Sequence, residues 1–323
     1  MKLFTFEFNR TVHLGAECAG QIVDLPIACA AMIGARGVRP GAPPALPPDI
    51  LGFLRSGEPA LTAARDTLAF MARRPAMPVG ERATYLVDEV NLLAPIPRPG
   101  KILCSGINYR GHVQENPGAK MPSEPFFFSK LPSCVIGPGE PIVHPKQTRQ
   151  LDYEVEFAVV IGKGMKATPE SEVMNHVVGY TILHDVSARD VQFKDNQITL
   201  GKNFDTFCPL GPCLVTSDEL TDPANVKLRS FVNGELMQDG STADWVFPLP
   251  RLLSFLSDVM TLEPGDVVST GTPAGVGVFR KPPVFLKPGD VARLEVEGIG
   301  TLENRVVEQE ILSYSYSYSY SYS

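Results

Sequence analysis

The chain has 323 residues, enough for one large domain or for a small domain joined to a larger one. Its formal net charge is −7, which excludes the general basic surface typical of proteins that bind nucleic acid. No segment has the length and apolarity of a membrane span, and the first ten residues lack the continuous apolar core of a signal peptide.

Proline and glycine are abundant, with 30 and 28 residues, which predicts many turns and a β-rich fold. The six cysteines are spread along the chain, and none forms a Cys-x-x-Cys pair. In a chain of this length without a signal peptide, we expect reduced thiols rather than disulfides. The expected location is therefore the cytoplasm.

Residues 1–96 are predicted to form a small N-terminal α/β domain. Apolar alternation predicts strands at Leu3–Phe8 and Gln21–Leu25, which are candidates to pair with each other. Helices are predicted at about 49–55 and at Glu58–Arg74. This region contains no phosphate-binding or metal-binding motif, so we expect it to serve packing or assembly.

A linker rich in proline, at 95–100, separates this region from a predicted catalytic domain at 97–312. The pattern there is mainly short strands with few helices, unlike the alternation of strands and helices in a doubly wound sheet. The Asn233-Gly234 pair predicts a tight hairpin. The remaining residues, 313–323, alternate serine and tyrosine and are excluded from functional reasoning. The candidate strands are Lys101–Gly106, Tyr153–Ile161, His176–His184, Cys213–Thr216, Arg229–Val232, Val267–Thr270 and Ala292–Val296, with helices near His112, at 169–175 and at Pro250–Val259.

Three carboxylates occupy alternate positions at the start of the apolar strand predicted at Tyr153–Ile161, the first of them just before it. Side chains alternate across a strand, so Asp152, Glu154 and Glu156 share one face. Like charges beside an apolar core are costly unless a positive charge joins them, and a hard divalent cation is the natural partner. The alternative is an acidic face exposed to water.

A further carboxylate, Asp185, ends the next predicted strand. Together with two carboxylates of a neighbouring strand it suits Mg²⁺ or Mn²⁺, with positions left for water and substrate. The absence of nearby cysteine pairs argues against structural zinc.

A second constellation is His112 and Glu115, which face each other across one helical turn. A carboxylate beside an imidazole orients it and raises its basicity, as a general base acting on water requires. The alternative is an incidental pair on a surface helix. The helix is short and flanked by loops, as a mobile lid would be.

Two turn-rich segments complete the candidate site. Lys202 lies in the first segment, residues 200–212, where it would hold a substrate carboxylate or stabilise negative charge; the alternative is a surface lysine. The second, 269–277, has small residues that let backbone N–H groups and the Thr272 hydroxyl approach an anion; the alternative is a tight structural turn.

Five motifs in a fixed order resemble the fumarylacetoacetate hydrolase family. Each motif is weak alone, and their order over about residues 100–310 is the specific signal. The motifs are Gly-Ile-Asn-Tyr-x-x-His-x-x-Glu (106–115), Asp-Tyr-Glu-x-Glu (152–156), His-Asp-Val-Ser-Ala-Arg-Asp-x-Gln (184–192), Gly-Lys-Asn-Phe-Asp-Thr-Phe-x-Pro-Leu-Gly-Pro (201–212) and Thr-Gly-Thr-Pro-Ala-Gly-Val-Gly (270–277).

The resemblance implies an α+β, β-rich fold: a mixed β-roll catalytic domain, usually dimeric, behind a smaller N-terminal domain. It implies Mg²⁺, or Mn²⁺ or Ca²⁺, held by Glu154, Glu156 and Asp185. The longer-chain branch of the family has a fourth metal carboxylate in an area where this chain has Ser105 and Ile107. The chain therefore resembles the three-carboxylate branch.

The resemblance also implies roles for the other motif residues. His112 and Glu115 would form the water-activating dyad on a lid, and Lys202 would contribute to catalysis. The contacts to substrate oxygens would come from Lys202, Arg189 and Gln192, with Thr272 helping to seat a carboxylate and Asp152 in a supporting role.

The activity implied is hydrolysis of a C–C bond in a 2,4-dioxo acid such as an acylpyruvate or fumarylpyruvate, in the breakdown of aromatic compounds. Water activated by His112 would attack C4, and pyruvate would be released with a carboxylic acid. The alternatives are an oxaloacetate decarboxylase, a hydroxymuconate-type isomerase, a ureidoglycolate lyase or a non-catalytic binder of a metal and a dicarboxylate. Selectivity is expected from residues 112–125 and from Phe126–Phe128, which is favoured as a core strand over a pocket wall.

Overall fold

Two β-sheets carry most of the described chain. The structure is a computed structural model, and it describes residues 1–36, 45–78, 81–116, 118, 120–194 and 198–309. The Ser-Tyr tail lies outside these ranges, as does the predicted end of the catalytic domain at 310–312. Many short strands and few helices make this an α+β, β-rich fold, as the sequence predicts.

The strands and helices are numbered here in chain order. The strands are β1 (Lys2–Phe8), β2 (Thr11–Cys18), β3 (Gln21–Asp24), β4 (Thr84–Tyr85), β5 (Asn91–Leu92), β6 (Ile102–Ser105), β7 (Phe127–Lys130), β8 (Val135–Ile136), β9 (Ile142–His144), β10 (Leu151–Asp152), β11 (Val155–Ile161), β12 (Val177–His184), β13 (Ser187–Ala188), β14 (Cys208–Thr216), β15 (Lys227–Val232), β16 (Glu235–Ser241), β17 (Val267–Ser269), β18 (Val291–Val296) and β19 (Gly300–Glu308). The helices are α1 (Leu25–Arg36), α2 (Ile50–Arg55), α3 (Glu58–Met71), α4 (Arg110–Glu115), α5 (Arg189–Phe193), α6 (Ile198–Lys202) and α7 (Leu249–Val259).

The acidic motif leads from β10 into β11, a central strand of the large sheet. The path of this sheet runs β4-β3-β2-β1-β14-β12-β11-β17-β6-β7, with β5 paired to β1 and β8 to β14. β11 pairs antiparallel with β12 on one side and with β17 on the other, and β6 runs parallel to β17. Every residue of β11 and β12 is buried, which explains their nearly continuous apolar runs.

β1 joins the N-terminal region to this sheet. It pairs with β2 on one edge and with β14 on the other, where Leu3 faces Leu214. The predicted direct pairing of Leu3–Phe8 with Gln21–Leu25 is wrong, because β2 lies between β1 and β3 and pairs with both. The domain boundary near residue 96 stays a prediction, although the sheet is continuous across it.

The N-terminal helices match the sequence in part. Asp49 caps α2, since its carboxylate accepts the backbone N–H of Gly52 at 2.8 Å. α3 ends at Met71 rather than at Arg74, whose φ of 52° is left-handed. α1 was not predicted, because it is apolar almost throughout and presents no periodic face.

The second sheet has the order β16-β15-β18-β19-β9. The predicted hairpin is confirmed: β15 and β16 pair around Asn233 and Gly234, whose φ angles are 52° and 84°. The helix predicted at 169–175 is wrong, because this stretch contains only a 3-10 turn at Val173–His176. The helix predicted at Pro250–Val259 is confirmed as α7. Within the ranges described above, no helix has the length and apolarity to cross a membrane.

Candidate active site

The acidic motif lies where β11 and β12 meet. Val155 faces His184 in the antiparallel pair, and the backbone N–H of Asp185 donates to the carbonyl oxygen of Glu154 at 3.1 Å. This register brings Asp185 next to the acidic strand. Asp152, Glu154, Glu156 and Asp185, called the carboxylate cluster below, are all buried. The alternative of an acidic face exposed to water is therefore wrong.

Arg189 and Lys202 bind most of this cluster. Arg189 donates from Nε to Asp152 at 2.8 Å and from Nη2 to Glu154 at 2.5 Å. Lys202 donates from Nζ to Glu154 at 2.9 Å and to Asp185 at 2.6 Å. Burial alone would raise the pKa of Glu154, but the charges of Lys202 and Arg189 outweigh burial and lower it. Lys202 is buried, so the alternative of a surface lysine is wrong.

Lys130, at the end of β7, is a third buried cation at the site and was missed from the sequence. Its Nζ donates to Asp185 at 2.7 Å and to the carbonyl oxygens of Val186 at 3.3 Å and Lys202 at 2.6 Å. Burial opposes its charge, yet Asp185 and nearby thiols raise its pKa overall. The only signal for Lys130 in the sequence is a charged residue that follows the apolar Phe126–Phe128 stretch, which is too common to identify a site.

Glu156 has a different environment. It accepts a hydrogen bond from the hydroxyl of Ser269. A sulfur of Cys104, an oxygen of Glu156 and an oxygen of Asp185 lie within 4.8 Å of one another. Burial, together with the negative charges of Asp185 and Glu154, raises the pKa of Glu156. In the described chain Glu156 has no cation within ion-pair distance, whereas Asp185 is paired with Lys130 and Lys202.

This donor set fits a divalent cation. Such an ion would compensate the charge of Glu156, and an oxygen of Glu156 lies close enough to one of Asp185 for both to share the ion. Glu154, the third predicted ligand, is bound by Lys202 and Arg189, and Asp185 is bound by Lys130 and Lys202, so an ion held by all three would replace lysine contacts. The three predicted ligands thus lie together, and Glu156 and Asp185 belong to the group whose atoms lie within 4.8 Å of one another.

The predicted dyad is formed. His112 Nδ1 and Glu115 Oε1 are 2.7 Å apart within α4. The other oxygen of Glu115 accepts the backbone N–H of Gly275 at 2.7 Å, so the dyad is tied to the 269–277 loop. Both side chains are largely shielded, which argues against an incidental surface pair.

The start of α4 is held by groups distant in sequence. The backbone N–H of Gly111 donates to Asp244 at 2.8 Å. Asn108 donates to the carbonyl oxygen of Thr270 at 3.0 Å and accepts the N–H of Phe247 at 2.9 Å. These contacts hold α4 beside the 269–277 loop, and His112 lines the same pocket as Glu154.

The 269–277 loop is a tight turn that also lines the site. Gly271 and Gly275 have φ angles of 88° and 109°, and a Cβ at Gly275 would meet the carbonyl oxygen of Met237 at 2.3 Å. The Thr272 hydroxyl donates to the carbonyl oxygen of Val155 at 2.9 Å and accepts from Gln238 at 2.8 Å. Its proton is thus already used within the protein, which leaves Thr272 as an acceptor toward a substrate.

Gln238 is a second residue that sequence reasoning missed. Its oxygen accepts the N–H of Val155 at 3.0 Å and the hydroxyl of Ser230 at 2.9 Å. Its amide nitrogen binds Thr272, so Gln238 joins the second sheet to the acidic strand. Asp152, which was predicted to have a supporting role, binds Arg189 and accepts the N–H groups of Gly277 at 2.7 Å and Val278 at 3.0 Å.

A pocket of about 190 Å³ opens between these groups. Charged and polar side chains line one part and apolar side chains the other. Phe126 covers Gly106, where a Cβ would meet its ring at 2.4 Å, while Phe127 packs on Phe255 and begins β7. The expectation of a core strand at Phe126–Phe128 is thus only partly correct. The lining residues are Ser105, Gly106, Ile107, His112, Asn116, Phe126, Phe128, Glu154, Arg189, Gln192, Phe193, Ile198, Lys202, Thr272 and Phe279.

Comparison with known proteins identifies the family. The family described as "Fumarylacetoacetate (FAA) hydrolase C-terminal" matches residues 101–307. The chain belongs to the fumarylacetoacetate hydrolase family. It is 48% identical over 266 residues to the mitochondrial oxaloacetate tautomerase FAHD2A of Homo sapiens, which covers 82% of this chain and 81% of the human protein.

Solved structures extend the similarity to nearly the whole chain. A fumarylacetoacetate hydrolase from Exiguobacterium antarcticum superposes with a TM-score of 0.77 at 37% identity, over 96% of this chain and all of that one. A maleylpyruvate hydrolase from Sphingobium sp. SYK-6, solved with manganese(II) and pyruvate, superposes with a TM-score of 0.72 at 29% identity, with the same coverage. The predicted family and fold are confirmed. The relatives named here are enzymes of different activities.

Proposed function

We propose that the protein is a divalent-metal-dependent enzyme that interconverts the enol and keto forms of an oxaloacetate-like 2-oxo dicarboxylic acid. The 48% identity to a human oxaloacetate tautomerase carries this proposal, because it spans four fifths of both chains. The sequence alone favoured a C–C hydrolase of the same family, which becomes the second candidate below.

The size and charge of the pocket support a small anionic substrate. About 190 Å³ is below the ~300–1,000 Å³ typical of pockets for drug-sized ligands. Arg189 and Lys202 line it beside Glu154, and a bound divalent cation would add positive charge for an anion. A four-carbon diacid fits these properties better than a large substrate.

The metal ligands would be Glu156 and Asp185, with Glu154 beside them. A divalent cation bound there supplies Lewis acidity toward the 2-oxo oxygen. Mg²⁺ is the expected ion because the ligands are carboxylates, with Mn²⁺ or Ca²⁺ as alternatives.

His112 is the group that moves the proton. Its Nδ1 is bonded to Glu115, so Nε2 is the nitrogen available for the substrate. In the enol-to-keto direction, protonated His112 donates to C3, and the enol hydroxyl loses its proton to solvent. In the reverse direction, neutral His112 accepts the C3 proton and the 2-oxo oxygen takes a proton from solvent. The proton count balances in each direction.

Arg189, Gln192 and Lys202 orient the substrate. Arg189 binds the oxygen of Gln192 at 3.1 Å, which holds the amide nitrogen of Gln192 free to donate. Thr272 would accept a hydrogen bond rather than donate one, as its own contacts require.

Hydrolysis of a 2,4-dioxo acid is the second candidate. The intact pair of His112 and Glu115 favours it, because such a pair can take a proton from water as it attacks C4. The likeness to a maleylpyruvate hydrolase solved with pyruvate also favours it. This reaction would place the enzyme in the catabolism of aromatic compounds.

The test follows the absorbance of enol-oxaloacetate as it converts to the keto form. Protein treated with EDTA should not accelerate this decay, and added Mg²⁺ or Mn²⁺ should restore the acceleration in wild type but not in Glu156→Gln. Pyruvate release is then measured from oxaloacetate and from an acylpyruvate panel. Metal-dependent pyruvate from acylpyruvates without enol decay would favour the hydrolase, and CO₂ with pyruvate from oxaloacetate would favour a decarboxylase. No metal-dependent turnover of any of these acids would reject both candidates.

The homodimer and the cytoplasmic location stay part of this proposal. Size-exclusion chromatography with light scattering measures the first, and fractionation of the source cells measures the second.

A further inference from the structure

The mouth of the candidate pocket carries exposed aromatic side chains. All 17 phenylalanines of the chain lie in the described ranges, and only two of them are exposed, Phe126 at 48% and Phe193 at 53%. Both of these rings line the pocket. Large apolar side chains are mostly buried, so two exposed rings at one opening mark a surface that receives an apolar group.

The two rings come from separate elements, and each is held in place by the fold. Phe126 precedes β7, and its carbonyl oxygen accepts the N–H of Gly106 at 2.9 Å. Gly106 leaves room for the ring, because a Cβ there would meet it at 2.4 Å. Phe193 ends α5, the helix that also carries Arg189 and Gln192. Phe193 is therefore on the same helix as two residues that the proposed function assigns to the substrate.

A third ring, Phe279, lies beside the proton-transfer group. The ring centroids of Phe279 and His112 are 6.0 Å apart, and both side chains line the pocket. His112 exchanges a proton with C3 of the substrate, so C3 must lie about 3–3.5 Å from Nε2 in a reactive pose. The group that C3 carries is then within reach of Phe279.

The cations of the pocket already have carboxylate partners. Arg189 binds Asp152 and Glu154, and Lys202 binds Glu154 and Asp185. Among the residues that line the pocket there is no further lysine or arginine for a second carboxylate on C3. An apolar group on C3 therefore matches the lining at least as well as a carboxylate does.

We propose that the enzyme also accepts 2-oxo acids with an aromatic ring on C3 and interconverts the enol and keto forms of an arylpyruvate such as phenylpyruvate. The inference rests on the proposed function, because it uses the same cation site and the same proton transfer by His112. Toward the enol, neutral His112 accepts a proton from C3 and the 2-oxo oxygen takes one from solvent; toward the keto form both transfers reverse. The ring is larger than a carboxylate and extends into the open mouth, where it makes edge-to-face contacts with Phe126 and Phe193.

The experiment measures the exchange of C3 hydrogens in deuterium oxide by proton NMR, with the full-length protein and Mg²⁺. Oxaloacetate and phenylpyruvate are compared, each against a blank without protein because both acids enolise unaided. Wild type should accelerate the exchange in both acids, and EDTA should remove the acceleration. Phe126→Ala and Phe193→Ala should each lower the ratio of kcat/KM for phenylpyruvate to kcat/KM for oxaloacetate about 3- to 10-fold, through the loss of one aromatic contact.

A binding measurement tests the same contacts without turnover. Phenyllactate and malate are the 2-hydroxy counterparts of the two acids and do not enolise, so isothermal titration calorimetry compares their affinities directly. Each variant should weaken the binding of phenyllactate about 3- to 10-fold more than that of malate. Leu86→Ala is the matched control, since Leu86 is 47% exposed and lies in the N-terminal region outside this pocket. It should leave both exchange rates and both affinities unchanged.

The outcomes separate this inference from the proposed function. Accelerated exchange in oxaloacetate alone would overturn the inference and leave the function standing, whereas metal-dependent exchange in neither acid would reject the function as well. If both acids react but the two variants lower both rates equally, the rings do not hold the substituent and the inference is wrong. A variant that changes the oligomeric state in light scattering but not the ratio would assign the rings to a subunit interface, which also overturns the inference.

Discussion

The two halves of the candidate site are built in opposite ways. The carboxylate cluster lies at the paired ends of β11 and β12, two strands of the large sheet that are buried along their whole length, and three buried cations pair with the acids. The dyad lies on α4, a helix of six residues whose N-cap residue, Tyr109, makes no side-chain cap hydrogen bond. A few hydrogen bonds with groups distant in sequence hold it in place: Asp244 accepts the N–H of Gly111, and the N–H of Gly275 donates to Glu115.

This difference separates two requirements of the proposed chemistry. A metal site needs several charges held at fixed distances, and a buried sheet with ion pairs provides that rigidity. A proton-transfer group must approach a substrate and withdraw, which a short helix held by single hydrogen bonds allows. Variants on the two sides should therefore fail in different ways.

The largest effect is expected from His112→Ala on the dyad side. Turnover should fall about 10²- to 10⁴-fold, because the proton-transfer group is lost. Metal affinity, measured by isothermal titration calorimetry, should stay unchanged, since His112 makes no hydrogen bond to the carboxylate cluster in the described chain. Turnover at the wild-type rate would show that another group moves the proton.

Lys130→Met on the sheet side should act on stability. It leaves Asp185 buried with one cation fewer, and removing one partner of a buried pair costs about 3–5 kcal/mol in free energy of unfolding. Urea denaturation measures this. The control is Arg229→Met, which breaks an exposed pair with Asp239 and should cost about 0–1 kcal/mol. Equal losses in the two variants would contradict the structural role of Lys130.

Gln238→Leu tests the link between the two sheets. The N–H of Val155 and the hydroxyl of Ser230 would lose their acceptor, which should lower stability by about 1–3 kcal/mol. The exposed Gln147→Leu serves as control and should change stability by less than about 0.5 kcal/mol. Thermal unfolding of both proteins gives the comparison, and an unchanged midpoint for Gln238→Leu would argue that water replaces its amide.

Asp244→Ala should have the smallest effect on stability and tests the attachment of α4. Losing the acceptor of the Gly111 N–H should cost at most about 1.5 kcal/mol. Turnover should fall by up to about tenfold, because His112 is then less well placed. A combined measurement of unfolding and initial rates detects this pattern. A stability loss as large as that of Lys130→Met would mean that α4 is as integral to the fold as the sheet.

The sequence predicted the local features of both halves well. Alternation brought the acids to one site, although only Glu156 lies on β11, with Glu154 just before it and Asp152 on β10. Spacing placed His112 beside Glu115, and the Asn-Gly pair predicted its hairpin. It predicted poorly where chemistry depends on partners distant in sequence. Lys130 is 55 positions from Asp185, and Gln238 is 83 positions from Val155, and neither belongs to a motif.

The sequence by itself determined the family, the β-rich fold and the residue types of the site, because motifs and periodicity are properties of neighbouring residues. Only the tertiary structure decided that Arg189 and Lys202 bind the carboxylates, that β2 separates β1 from β3, and that Cys104 faces Glu156. These contacts follow from strand register and burial, which bring together charges and thiols that chain order leaves far apart.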